Sequence, residues 1–102
     1  MATLHTVNKS PFEKPSLDTC LGHALDGATV LLIEDGVYAA MDGSAVSERV
    51  REAMGRLEVC ALQPDLGARG IGAEKLIDGV KLVDYDGFVD LVVGHDKVQS
   101  WL

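Results

Sequence analysis

A six-residue apolar run, ATVLLI at 28–33, constrains the fold of this chain more than any other segment. It shows no alternation of apolar and polar residues, so neither of its faces is marked as facing water. Such runs are typical of strands in parallel sheets that helices cover on both sides. The run therefore predicts the central strand of an α/β domain.

Strand and helix patterns alternate along the rest of the chain. Strand patterns occupy 3–7, 59–62, 81–83 and 97–102, and helical spacing of apolar residues occupies 16–24, 44–57 and a segment capped by Asp84 or Asp86. We predict Ser16 as the first helix cap, Ser44 or Ser47 as the second, and a long glycine-containing connection at 66–79. The order predicts a single domain over 1–102, a three-layer sandwich with a mostly parallel sheet of about five strands and helices on both faces.

Length and charge narrow the possible partners. A domain of 102 residues buries only about two-thirds of the surface that its unfolded chain exposes, so association with other subunits would stabilise it. The formal net charge of −7 disfavours direct binding of nucleic acid, because phosphates are neutralised by Lys and Arg. We therefore expect protein partners and no direct contact with nucleic acid.

The cellular compartment is predicted from the N-terminal residues and from the length of the apolar runs. The N-terminal residues do not form the basic and apolar pattern of a signal peptide, and the apolar run 30–33 is too short to span a bilayer. We expect a cytoplasmic chain without a membrane anchor. Its two cysteines, Cys20 and Cys60, are then expected as free thiols.

Several familiar motifs are absent or incomplete. The segment GARGIG at 67–72 lacks the glycine order and the Gly-Lys-Ser/Thr ending of a phosphate loop. Cys20 and His23 form one isolated pair at ligand spacing, and a zinc site needs a second. Glu34 and Asp35 are as well explained by a solvated turn as by a catalytic pair. We predict neither a metal nor a cofactor.

The two thiols differ in their predicted surroundings. Cys20 lies early in the helix at 16–24, where the helix dipole and a protonated His23 would lower the pKa of the thiol. Cys20 also shares an apolar stripe with Leu17, so burial is an equal alternative. Cys60 lies inside the apolar strand 59–62, and we predict a structural role for it.

Segments along the whole chain resemble the DsrH/TusB family. The resemblance rests on LHTVNKSPF at 4–12, LLIEDGVYAA at 31–40, and Tyr85, Phe88 and Trp101 near the C-terminus. It implies a DsrE-like fold and assembly with DsrE/TusD-like and DsrF/TusC-like subunits as a dimer of heterotrimers. That complex passes persulfide sulfur to a DsrC/TusE-like acceptor.

The resemblance also implies where the sulfur chemistry lies. In such complexes the principal sulfur-accepting cysteine belongs to the DsrE/TusD-like subunit. DsrH-type members resemble this chain in their helix-one cysteine, here Cys20, whereas TusB-type members often lack it. We therefore favour a role in dissimilatory sulfur oxidation, with Cys20 as a candidate secondary persulfide carrier. The alternatives are a TusB-like role in 2-thiolation of the tRNA wobble uridine, and a purely structural docking role.

Overall fold

A parallel sheet forms the centre of the molecule in the computed structural model, which describes residues 2–102. Within these residues the five strands are β1 Thr3–Val7, β2 Thr29–Leu32, β3 Glu58–Leu62, β4 Lys81–Val83 and β5 Lys97–Trp101. Their order is β4-β3-β2-β1-β5, and each neighbouring pair is parallel. The predicted α/β fold is confirmed, and the apolar run supplies the central strand.

Helices lie on both faces of the sheet. They are α1 Ser16–His23, α2 Ser47–Ala53, α3 Gln63–Ala68 and α4 Tyr85–Gly94, with short 3₁₀ helices at Glu34–Ala40 and Ala73–Lys75. The first three crossovers step in one direction across the sheet, and the last returns from β4 to β5 at the opposite edge. Because parallel crossovers are right-handed, α4 lies on the face opposite α1 and α2.

Two apolar clusters follow from this arrangement. The larger one packs Val7, Val30 and Leu32 of the sheet against α1 and α2. The smaller one packs Leu4, Leu31 and Cys60 of the sheet beneath α4. Alternate residues of each strand point to opposite faces, so one apolar strand feeds both clusters.

The helix ends differ in part from the predicted caps. Asp84 caps α4 as predicted, because its side chain accepts a hydrogen bond from the backbone N–H of Gly87 at 2.7 Å. Ser16 is instead the first residue of α1, and its hydroxyl donates to the carbonyl of Leu102 at 3.0 Å. Neither Ser44 nor Ser47 is the cap of α2, since Val46 occupies that position.

The predicted connection at 66–79 is shorter than expected. Helix α3 begins at Gln63 and extends to Ala68, with Pro64 in its first turn. Proline is tolerated there because the first backbone N–H groups of a helix have no partner within it. The proline was correctly placed at the end of a strand, but the sequence interpretation missed the helix that it starts. Among residues 2–102, no helix is both long and apolar enough to cross a membrane.

Gly36 lies where the chain after β2 folds back onto the end of β1. The N–H of Ile33 donates to the carbonyl of Val7 at 3.0 Å, and the N–H of Gly36 donates to the carbonyl of Ile33 at 2.8 Å. A Cβ atom on Gly36 would lie 2.1 Å from the carbonyl oxygen of Val7. Only glycine allows this approach, which explains the glycine in the segment 31–40.

Replacing Gly36 should therefore destabilise the fold. We expect Gly36→Ala to lower the free energy of unfolding by about 2 to 3 kcal/mol, because backbone must move to admit the methyl group. Gly22→Ala is the matched control, since Gly22 lies within α1 and nothing lies within 4 Å of its added Cβ. That change should stabilise the protein by up to about 1 kcal/mol. Urea unfolding measures both, and equal effects would contradict the close approach.

Candidate functional site

Cys20 is part of the main apolar core. It lies in the second turn of α1 and none of its surface is exposed. The surrounding cluster contains Leu17 and Leu21 from the same helix and Val7 from β1. Of the two alternatives that the sequence left open, burial is therefore the one that the structure shows.

Burial also decides the protonation state of the two thiols. Desolvation raises the pKa of Cys20 from 9.0 to about 12. The pKa of Cys60 rises to about 11, chiefly through desolvation, with the nearby Glu58 carboxylate adding to it. The expected lowering of the pKa of Cys20 by the helix dipole is therefore wrong. At neutral pH both groups are thiols, whereas sulfur transfer needs a thiolate.

The two cysteines lie on opposite faces of the sheet. Cys20 belongs to the cluster beneath α1 and α2, whereas Cys60 belongs to the cluster beneath α4. Both are free and buried. Cys60 was predicted to lie in a buried strand, and the structure places it there, on the face of β3 that α4 covers. The sheet between the thiols prevents them from pairing without unfolding.

His23 is directed towards Trp101 and its own helix. Its Nδ1 lies 2.9 Å from the carbonyl oxygen of Thr19, and its ring centroid lies 5.6 Å from that of Trp101. The Trp101 Nε1–H donates to Nδ1 of His5 at 3.0 Å. Since indole nitrogen is a donor only, His5 must be neutral and carry its proton on Nε2. Burial lowers the pKa of His5 further below the usual histidine value.

These imidazoles border an open cleft beside α1. The cleft measures about 560 Å³ and is lined by Thr3, His5, His23, Leu25, Asp26, Ala28, Lys97, Val98 and Gln99. The lining contains both an acidic residue, Asp26, and a basic one, Lys97. The sequence interpretation assigned His5 to an ordinary strand position and missed its contact with Trp101, which is 96 residues away.

Acidic residues at the carboxyl end of β2 are held by α3. Glu34 has a backbone φ of 50°, and its N–H donates to the Asp65 carboxylate at 2.6 Å. Arg69 donates to Asp35 at 2.9 Å and to the backbone carbonyl of Asp65 at 3.0 Å. Glu34 and Asp35 therefore form a braced turn, in which the arginine of the 67–72 segment is a structural partner.

A second arginine closes the end of α1. Arg56 donates to the carbonyl oxygen of Ala24 at 2.6 Å and also to that of Leu21. These are carbonyls that the last turn of a helix leaves without partners. The sequence placed Arg56 on the wet face of the second helix, and no local pattern could have indicated this contact. Among residues 2–102, no group of three or more His, Cys, Asp or Glu could hold a metal ion.

The fold is that of a small α/β domain with a five-stranded parallel sheet and two buried thiols. A family profile described as "DsrH like protein" matches residues 9–98. The chain is 38% identical over 98 residues to Protein TusB of Pectobacterium parmentieri, covering 96% of this chain and 99% of that protein. Protein TusB of Escherichia coli K12 is 37% identical over the same shares. The chain belongs to the DsrH family, as the resemblance indicated.

Comparison with solved structures independently confirms the fold. A protein of unknown function from Methanobacterium thermoautotrophicum, MTH1491, superposes with a TM-score of 0.78 at 18% identity, covering 96% of this chain and 97% of that one. The ychN protein of E. coli gives 0.76 at 20% identity, covering 98% and 99%. At such identities the likeness shows the shared fold alone.

The buried thiols lead to a prediction about reactivity. Brief treatment of the folded protein with iodoacetamide should label neither Cys20 nor Cys60, because both are enclosed and protonated. Both should be labelled in urea, and peptide mass mapping distinguishes them. Selective labelling of Cys20 in the native chain would contradict its burial and would revive the carrier hypothesis.

The hydrogen bond between Trp101 and His5 predicts a pH dependence. A histidine whose pKa is lowered by burial stabilises the fold above its unfolded pKa, here 6.5, and stability is lost as the pH falls towards the folded pKa. Within that window, each unit by which the pH falls lowers the free energy of unfolding by at most about 1.4 kcal/mol. His5→Asn should remove this slope, because its amide oxygen still accepts from Trp101 and does not titrate. Urea unfolding followed by Trp101 fluorescence measures it, and an unchanged slope in the variant would assign the effect elsewhere.

Proposed function

We propose that this chain is a TusB-like subunit of a sulfur-relay complex that serves 2-thiolation of the tRNA wobble uridine. The support is the similarity to proteins named TusB, at 37 to 38% identity over 96% of the chain. The sequence interpretation favoured dissimilatory sulfur oxidation because of one residue, Cys20. Similarity along the whole chain outweighs a single cysteine, so the thiolation role is the better supported alternative.

The burial of both thiols supports a docking role without sulfur chemistry of its own. In persulfide transfer, an acceptor thiolate attacks the outer sulfur of the donor persulfide. A new S–S bond forms, the donor's S–S bond breaks, and the donor leaves as a thiolate, so no outside oxidant is needed. Cys20 and Cys60 are 0% and 1% exposed and cannot make this attack while the core is intact. The accepting cysteine then belongs to the DsrE/TusD-like subunit.

The remaining parts of the proposal follow from the same complex. The partners are DsrE/TusD-like and DsrF/TusC-like subunits in a cytoplasmic dimer of heterotrimers, and the sulfur acceptor is a DsrC/TusE-like protein. The net charge of −7 makes direct tRNA contact by this chain unfavourable, so contact with tRNA belongs to a downstream protein. A secondary carrier role for Cys20 would require α1 to move away from the sheet.

Complementation tests both the pathway and the docking role. The chain and its DsrE-like and DsrF-like partners are expressed in a bacterium that lacks its own three subunits. We expect wobble 2-thiouridine, measured by mass spectrometry of tRNA nucleosides, to return. Cys20→Ala should retain at least about half of it, because a buried thiol contributes packing only. Alanine is used because a buried serine hydroxyl without a partner would add a cost of about 1 to 3 kcal/mol.

Cys60→Ala is the matched control, since it removes an equally buried thiol from the opposite face of the sheet. Copurification of the three subunits is measured in the same cells, so that loss of assembly is not mistaken for loss of chemistry. An assembled complex that restores no 2-thiouridine contradicts the thiolation role. Loss with Cys20→Ala alone, in an assembled complex, contradicts the docking role and supports the carrier.

A further inference from the structure

The outer surface of α4 carries large apolar side chains that no other part of the described chain covers. Tyr85, Val89, Val92 and Val93 are 61%, 60%, 40% and 79% exposed. Their spacing of three to four residues places them along one stripe of the helix. Large contiguous apolar patches on a protein surface mark interaction sites, so we treat this stripe, here called the α4 stripe, as an interaction surface.

The α4 stripe is the uncovered half of an unusually wide apolar face. Phe88 and Leu91 point inwards and pack on the cluster beneath α4. At 100° per residue, the apolar residues from Leu91 round to Val93 span an arc of about 200°, roughly twice what packing on one surface uses. No residue of α4 is fully buried. The sheet uses one side of this arc, and a second surface is needed for the other.

The edge of the α4 stripe is acidic. Asp86 and Asp90 lie on the helix beside the stripe, Asp84 precedes it and Asp96 follows it, whereas Lys97 is the only cation of the segment 84–97. Within residues 2–102, neither Asp86 nor Asp90 forms an ion pair with a side chain of this protein. An apolar centre with an acidic rim fits a protein surface that has an apolar centre and a basic rim.

The same charges disfavour two other occupants. A second copy would bring two acidic rims together in a two-fold interface, between chains that each carry a net charge of −7. A membrane surface attracts helices whose polar face is rich in Lys and Arg, and the polar face of α4 carries aspartates. A different subunit with a basic rim is the occupant that remains.

We infer that the α4 stripe is the surface through which this chain docks onto one of the two related subunits of its complex, at an apolar patch rimmed by Lys and Arg. This inference rests on the proposed function, because that function supplies the related subunits. It adds the surface, the chemistry of the partner's side and the exclusion of a symmetric self-contact.

Charge substitutions at Val93 test the inference. The chain is coexpressed with the DsrE-like and DsrF-like subunits of its own organism, with an affinity tag on the DsrE-like subunit, and the captured amount is measured by quantitative mass spectrometry. Val93→Lys should lower capture at least about tenfold, since it buries a cation against a basic rim. Val93→Glu should lower it less, because the carboxylate meets opposite charge. Asp90→Lys should weaken capture and reduce its salt dependence.

Leu25→Lys is the matched control, because Leu25 is also 79% exposed but lies beside the cleft on the α1 face. It should change capture by no more than about twofold. Circular dichroism checks that each variant is folded. We expect them to fold, because substitutions at exposed positions seldom disturb the core. Light scattering of the untagged chain alone measures self-association at the same concentrations.

The outcomes separate the inference from the proposed function. If the wild-type chain is not captured, the sulfur-relay assembly is wrong and the docking surface falls with it. If the wild-type chain and Val93→Lys are captured equally, the complex stands and the α4 stripe is not its contact. If the chain alone forms dimers that Val93→Lys weakens less than Val93→Glu, the occupant is a second copy and the inference is overturned.

Discussion

Parallel pairing of β2 between β1 and β3 is the contact on which the rest of the structure depends. Since β2 is apolar on both faces, each face of the sheet needs a cover. The three crossovers that lead from β1 to β4 put α1, α2 and α3 on one face, and the return to β5 leaves the other to α4 alone. This unequal cover produces a large core with Cys20, a small one with Cys60, and a helix that is half exposed.

The fate of Cys20 shows how competing electrostatic effects are decided by magnitude. A helix dipole favours a nearby anion by about 0.3 to 1 kcal/mol, and only within the first turn. Desolvation of a fully enclosed thiol raises its pKa from 9.0 to about 12, which corresponds to about 4 kcal/mol against the thiolate. Desolvation therefore prevails, and a helix-one cysteine at this position does not by itself indicate sulfur chemistry. The same reasoning applies to Cys60 beneath α4.

The sequence could predict features that depend on neighbouring residues. The apolar run at 28–33, the cap at Asp84 and the alternation of strands and helices are of this kind, because each follows from local spacing. Features that join distant residues were missed. The contact of Trp101 with His5 spans 96 residues and that of Arg56 with Ala24 spans 32. The exposure of Cys20 belongs to the same group, since it depends on what packs over α1.

Helix α4 is weakly buried yet firmly oriented, and these two properties together suit a docking element. At its start, the Asp84 carboxylate holds the first turn through the N–H of Gly87. Beyond its end, His95 lies 2.6 Å from the carbonyl oxygen of Leu91 and 3.0 Å from the hydroxyl of Thr29 on β2. The cap stabilises the first turn, and the contact of His95 with Thr29 ties the C-terminal end of the helix to the sheet without using the apolar residues of the α4 stripe. A partner that meets such a helix pays little entropy for ordering it, so the exposed apolar area is converted into affinity more fully.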